Sequence, residues 1–185
     1  MPLSPPACRQ QIHTRTVICS GYLRPDALWD IEARMTDTKS YSVHNDFRSV
    51  EAGAPFHDMA MRLLIDDALL IHAAEASIEA APHRICPSVA PNFQRLIGLR
   101  IEAGFLAEAR KRLGGVLGCT HLVELLGPMA TTAIQTIRPM RTLRGGKAMA
   151  ARPSQIGTCH ALASSSEVVQ KYWPSFHQLN GEITV

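Results

Sequence analysis

The sequence predicts an α+β domain of about four antiparallel strands, paired as two hairpins, with helices packed on one face of the sheet. Three observations carry this reading. Apolar residues alternate with charged or polar ones over residues 29–36, the period of a strand with one buried and one wet face, and Met59, Met61, Leu63 and Ile65 form one face of another strand. Turn residues precede the first run at Arg24-Pro25-Asp26-Ala27 and follow the second at Asp66-Asp67. After Pro82 the apolar spacing becomes helical and stays so.

Residues 1–10 are Pro-rich and read as a disordered N-terminus. Ile12 to Leu23 carries Thr, Val and Ile at strand density, and the Pro25 turn leads into the next strand. There Trp29, Ile31, Ala33 and Met35 point one way, and Asp30, Glu32, Arg34 and Thr36 the other. Residues 40–56 read as a loop. Met59, Met61, Leu63 and Ile65 make the apolar face of a third strand, and Leu69 to Ile78 returns as the fourth.

Ser88 is placed to cap a short helix with Val89, Phe93, Leu96 and Ile97 on one stripe. Phe105, Leu106, Ala109 and Leu113 form a second stripe, stopped by Gly114-Gly115. A third helix starts near Cys119 and runs toward Ile137, with a break expected at Gly127-Pro128. The main domain is thus 11–137. Residues 138–155 hold Arg138, Arg141, Arg144, Lys147 and Arg152 with no acid, and read as a basic flexible linker. Removing these five charges from the net +3 leaves −2, so the basic excess is local. A C-terminal helix within 156–175 is expected over Ser165 to Trp173, with Ser164 and Glu167 spaced as a capping box. Residues 176–185 are a tail.

The totals narrow the function classes. The chain has 185 residues, 46% of them apolar, enough for one real core. A net charge of +3 does not by itself point to nucleic acid, and the basic linker has no interleaved aromatics. No stretch approaches the ~20 apolar residues of a membrane helix, and the N-terminus lacks the pattern of a signal peptide. Cys8, Cys19, Cys86, Cys119 and Cys159 are an odd number without close pairs, unlike a secreted disulfide framework, so a reducing cytoplasm is the expected compartment.

Three short segments carry candidate chemistry. Gly118-Cys119-Thr120-His121 sits at a helix start, where free N–H groups and the helix dipole favour a negatively charged sulfur. Thr158-Cys159-His160 repeats the pair. Phe56-His57-Asp58 opens the third strand, and its His and Asp share one site only if they precede the ladder. Cys119, His121, Cys159 and His160 are expected to converge as metal ligands, with His57 or Asp58 completing the set. Thiolate with imidazole suits zinc, or iron as in iron–sulfur centres, better than magnesium or calcium. Cys86, His72, Met59 and Met61 read as packing or rim residues.

Beyond these patterns, several segments resemble a bacterial family catalogued as domain of unknown function 2889. They are His13-Thr14-Arg15, Gly21 through Glu32, Asp37-Thr38-Lys39, Phe56-His57-Asp58-Met59, Ala90-Pro91-Asn92-Phe93, Gly114 through Leu122 and Cys159-His160-Ala161-Leu162. The likeness spans about residues 9–175 and implies no assigned activity. Ala27 departs from the Gly that the resemblance leads one to expect after Asp26. A weaker likeness is to iron–sulfur cluster scaffold proteins, which carry Gly-Cys and later Cys-His at helix starts after a hairpin. Here Phe56 stands where they have a Cys, with His57 the substitute ligand, and the helical stretch 84–117 is extra.

Three functions compete on this evidence. The first is a metal-binding or reactive-thiol protein, in metallocofactor handling or hydrolysis at an open zinc position. The second is a non-catalytic accessory or ligand-binding domain in which the Cys and His residues merely pack. The third is an interaction module that meets a protein partner through the basic linker.

Overall fold

The computed structural model describes residues 3–145, 153 and 155–178. The chain divides into two compact units, Met1–Leu143 and Arg144–Val185.

The first unit is built on a four-stranded antiparallel sheet of order β1-β2-β5-β6. Its strands are β1 His13–Leu23, β2 Trp29–Lys39, β5 Pro55–Ile65 and β6 Ile71–Ala80. The expected alternation holds. Trp29, Ile31, Ala33 and Met35 of β2 and Met59, Met61, Leu63 and Ile65 of β5 are all buried. Asp30, Glu32 and Arg34 are more exposed. On that wet face Arg34 pairs with Asp58 at 2.6 Å and Arg62 with Glu75 at 2.5 Å, cross-strand contacts over an open surface. At Ile65 the β5–β6 register slips by one residue. The slip lets Ile71 and Ala74 both reach the core, which a strict period of two forbids.

Residues 40–56 are more ordered than a plain loop. They hold a small second hairpin, β3 Val43–His44 with β4 Ser49–Val50. Its turn is made by Asn45, whose side chain accepts from the N–H groups of Phe47 and Arg48. That is Asx-type turn chemistry.

Helices cover the apolar face. The first helical segment, Cys86–Leu96, is 3₁₀ throughout, with Phe93 and Leu96 buried but Ile97 half exposed. Ser88 does not cap it, because its hydroxyl donates back to the Ile85 carbonyl. Pro91 lies inside the segment, and proline cannot donate within a longer α-helix. Helix α1, Phe105–Leu113, buries Phe105, Ala109 and Leu113 as its stripe requires. Helix α2 runs unbroken from Thr120 to Leu143 through both Pro128 and Pro139.

The expected break at Gly127-Pro128 therefore does not occur. Pro128 and Pro139 stand on the solvent side, where water can satisfy the carbonyls they leave unbonded. Leu122, Leu125, Leu126, Met129, Ala133 and Ile137 face the core. Residues 138–143, expected to open the linker, are the last turns of this helix. Residues 146–152 and 154 of the expected linker lie outside the described residues.

Close approach of α2 to β1 depends on Gly21. A Cβ there would meet the whole side chain of Thr136, with Cγ2 at 2.7 Å and Cβ at 2.9 Å. In the β1–β2 turn, Ala27 has φ of 63°, a left-handed conformation that favours glycine. The departure noted in the sequence thus carries strain. Ala27→Gly is expected to stabilise the protein by up to about 1 kcal/mol, read as a higher urea midpoint with an unchanged slope.

The second unit holds α3, Glu167–Tyr172, and short 3₁₀ turns at His160–Leu162 and Pro174–Phe176. Its cap is Ser166, not Ser164. The Ser166 hydroxyl oxygen accepts from Val169 N–H at 3.2 Å.

Candidate functional site

Across the helix-covered face of the sheet, residues line up in rows one strand to the next. Four successive rows are largely apolar: Leu23–Trp29–Ile65, Gly21–Ile31–Leu63, Cys19–Ala33–Met61 and Val17–Met35–Met59. The next row is Arg15–Asp37–His57. The same parity that buries Met35 and Met59 therefore buries a carboxylate and an imidazole. Immediately beyond it, the register between β2 and β5 shifts at Asp37/Thr38, opposite Pro55. Bulges of this kind re-aim side chains beside functional sites.

Asp37 is the hub. It is 1% exposed, and both its oxygens are engaged. Arg15 donates from Nε to Oδ1 and from Nη2 to Oδ2, each at 2.8 Å, a two-pronged clamp. His57 Nδ1 lies 2.9 Å from Oδ2, and His13 Nε2 lies 3.2 Å from Oδ1. Burial pushes the Asp37 carboxyl up, but the bonds from Arg15 and His57 outweigh it and hold it well below the usual carboxylate range. For His57, burial is the largest effect and pushes the pKa down, and with the repulsion from His121 and Arg15 added it outweighs the opposing pull of Asp37. A neutral ring beside an ionised carboxylate must carry its proton on Nδ1, because the carboxylate can only accept. That leaves the Nε2 lone pair free.

The opposite wall comes from the start of α2. The His121 ring lies 4.1 Å from that of His57, centroid to centroid, tilted by 40°. One donor atom each from Asp37, His57 and His121 lie within 4.8 Å of one another. Cys119 caps this helix end, its carbonyl accepting from Val123 N–H at 2.9 Å. Its Sγ is 3.9 Å from His121 Nδ1 and 4.0 Å from Met59 Sδ. Glu124, one turn on, accepts from Arg15 Nη1 at 2.8 Å and ties α2 to the polar row. The approach to Cys119 is fixed by Asn92, whose Nδ2 donates to the Leu117 carbonyl at 2.9 Å.

Of the residues singled out from sequence, His57, Cys119 and His121 are brought together. Asp58 is not among them. The ladder already runs from Pro55, so adjacent His57 and Asp58 point to opposite faces, and Asp58 pairs with Arg34 on the wet side. Cys159 and His160 are exposed and belong to the second unit. The site described above is formed within the first unit alone. Cys86 packs at the edge of the core, and His72 is a rim residue bonded to Asp66. Arg15 and Asp37 were missed as site residues, although Asp37 continues the buried parity of β2.

Among the described residues, no helix is long and apolar enough to cross a membrane. No curated protein and no solved structure matches the chain. A family model described as "Protein of unknown function (DUF2889)" matches residues 13–135. That span holds the entire polar row, the Cys119–His121 pair and Met59, and the chain belongs to this family.

Proposed function

We propose that the protein binds a transition metal ion through His57, His121 and Cys119, with Asp37 as the positioning residue that holds His57 in its ligating tautomer. The observation that supports this most is the gathering of Asp37, His57 and His121 donor atoms within 4.8 Å. Asp37 itself is already saturated by Arg15, so its role is behind the ligand, the carboxylate–histidine–metal arrangement of many metal centres. Imidazole and thiolate donors suit zinc, copper and iron. The role that follows is metal handling.

Purified protein titrated with zinc against a chromogenic chelator is expected to take up about one ion per chain. His121→Ala, at a half-exposed position, is expected to weaken binding by roughly 100-fold or more while leaving the melting temperature of the metal-free protein nearly unchanged. Unchanged zinc affinity in that variant would defeat the reading. A second reading, a reactive thiol at Cys119, is favoured by the 3.9 Å approach of His121 Nδ1. It requires alkylation of Cys119 that bound zinc does not slow, whereas a ligating sulfur is protected.

A further inference from the structure

We propose that the ion this site selects is monovalent copper, with the thioether of Met59 as its fourth donor. This inference rests on the metal-binding reading above and adds to it the identity of the metal.

Met59 follows His57 by two residues on β5, so both side chains leave the same face of the sheet. It is 1% exposed and would pass for core filling. Its sulfur, however, lies 4.0 Å from Cys119 Sγ, and Cys119 Sγ lies 3.9 Å from His121 Nδ1. Donors that share one tetrahedral ion, at bond lengths of about 2.0–2.3 Å, stand roughly 3.5–3.8 Å apart. These two separations exceed that spacing by only a few tenths of an ångström, whereas Cys119 stands outside the group that His57 and His121 form with Asp37, so its side chain must turn toward them when the ion binds. Two imidazoles, a thiolate and a thioether form a soft set.

Zinc takes thiolate, imidazole and carboxylate, and gains little from a thioether. Cuprous copper favours both kinds of sulfur. Charge argues the same way. Arg15 and Asp37 neutralise each other at the back of the site. One thiolate then neutralises a monovalent ion, whereas a divalent ion would leave a net positive charge against the half-buried wall. Glu124, on the solvent side of Arg15, is exposed and screened. Four protein donors also leave no open position for water, which fits an ion that is held rather than one that activates a substrate.

The test uses the full chain without oxygen. Cuprous ion is titrated against a chromophoric cuprous chelator, and zinc is titrated separately, for the wild type, Met59→Leu and His121→Ala. Met59→Leu conserves volume and so spares the core. The expected result is a loss of cuprous affinity of roughly tenfold or more in Met59→Leu with zinc affinity unchanged. Cuprous affinity that ignores Met59→Leu, while His121→Ala weakens both metals, would overturn the copper assignment and leave the metal site standing. Failure of the wild type to bind either ion would overturn both. X-ray absorption of the copper-loaded wild type gives a measurement that needs no variant: two sulfur scatterers support the assignment, and one refutes it.

Discussion

Replacing Arg15 by Met is expected to destabilise the protein by about 3 kcal/mol at pH 7, because it strands a buried carboxylate. Asp37 is the buried member of this pair, and Arg15 closes both of its oxygens. The Arg15 side chain is 36% exposed, which places the effect at the low end of what broken buried pairs show. Adding Asp37→Asn to the same chain removes the stranded charge and is expected to return part of the loss. A double-mutant cycle in urea measures the coupling.

The same pair sets an acid dependence. The folded Asp37 carboxyl titrates below its unfolded value, so its contribution is fully present above the ordinary carboxylate pKa of about 3.9 and is lost as pH falls toward the lowered folded value. The gap between wild type and Arg15→Met should therefore close below about pH 4. His57 is also lowered on folding, which for a base means that the fold favours the neutral ring. Its contribution is present above the ordinary histidine pKa of about 6.5 and begins to be lost below it. Urea midpoints of the metal-free wild type should fall in two steps on acidification, and a single step near pH 4 would contradict the neutral His57.

Gly118→Ala is expected to cost about 2–3 kcal/mol, a fall in melting temperature of roughly 5–10 °C for a chain of this size. The backbone at Gly118 is extended and ordinary, so the demand is for space. An added Cβ would overlap the Leu113 carbonyl oxygen and crowd its carbon at 3.1 Å and the Leu113 Cβ at 3.3 Å. Leu113 is the fully buried end of α1, and neither group can rotate away. The connection must shift, and Cys119 shifts with it. The variant should lose metal affinity as well as stability, whereas Gly115→Ala, with open space around its Cβ but a left-handed φ of 59°, should change stability without displacing Cys119. Differential scanning calorimetry and metal titration of the two variants separate these effects.

Most of the fold was legible because a period of two over β2 and β5 leaves only one arrangement that buries Trp29, Ile31, Met35, Met61, Leu63 and Ile65 together. Local rules failed where tertiary context outweighs them. Pro128 interrupts a helix by propensity, yet on the solvent face of a helix anchored by Leu125, Leu126 and Met129 it is tolerated. Ser164 and Ser166 offer equivalent caps by composition, and the choice between them rests on which N–H comes within reach. Of the site, Cys119, His121 and His57 carried a chemical signal in their residue types. Asp37 and Arg15 carried one only in parity: an acid and a base falling on positions that strand alternation assigns to the core. Asp58 could join His57 only if both preceded the ladder, and the ladder already runs from Pro55.

The order in which the site is assembled follows from how far apart its parts lie along the chain. Arg15 and Asp37 are separated by 22 residues and Asp37 and His57 by 20, hairpin-scale closures that form with the sheet itself. Glu124, one turn along α2 from His121, reaches Arg15 across 109 residues. Longer closures are later and slower, and synthesis proceeds from the N-terminus. On a growing chain, Asp37, His57 and Met59 are thus in place on the sheet while Cys119 and His121 are still unmade. On the metal-binding proposal, an ion caught at that stage has too few donors to be retained, so stable loading waits until α2 has docked.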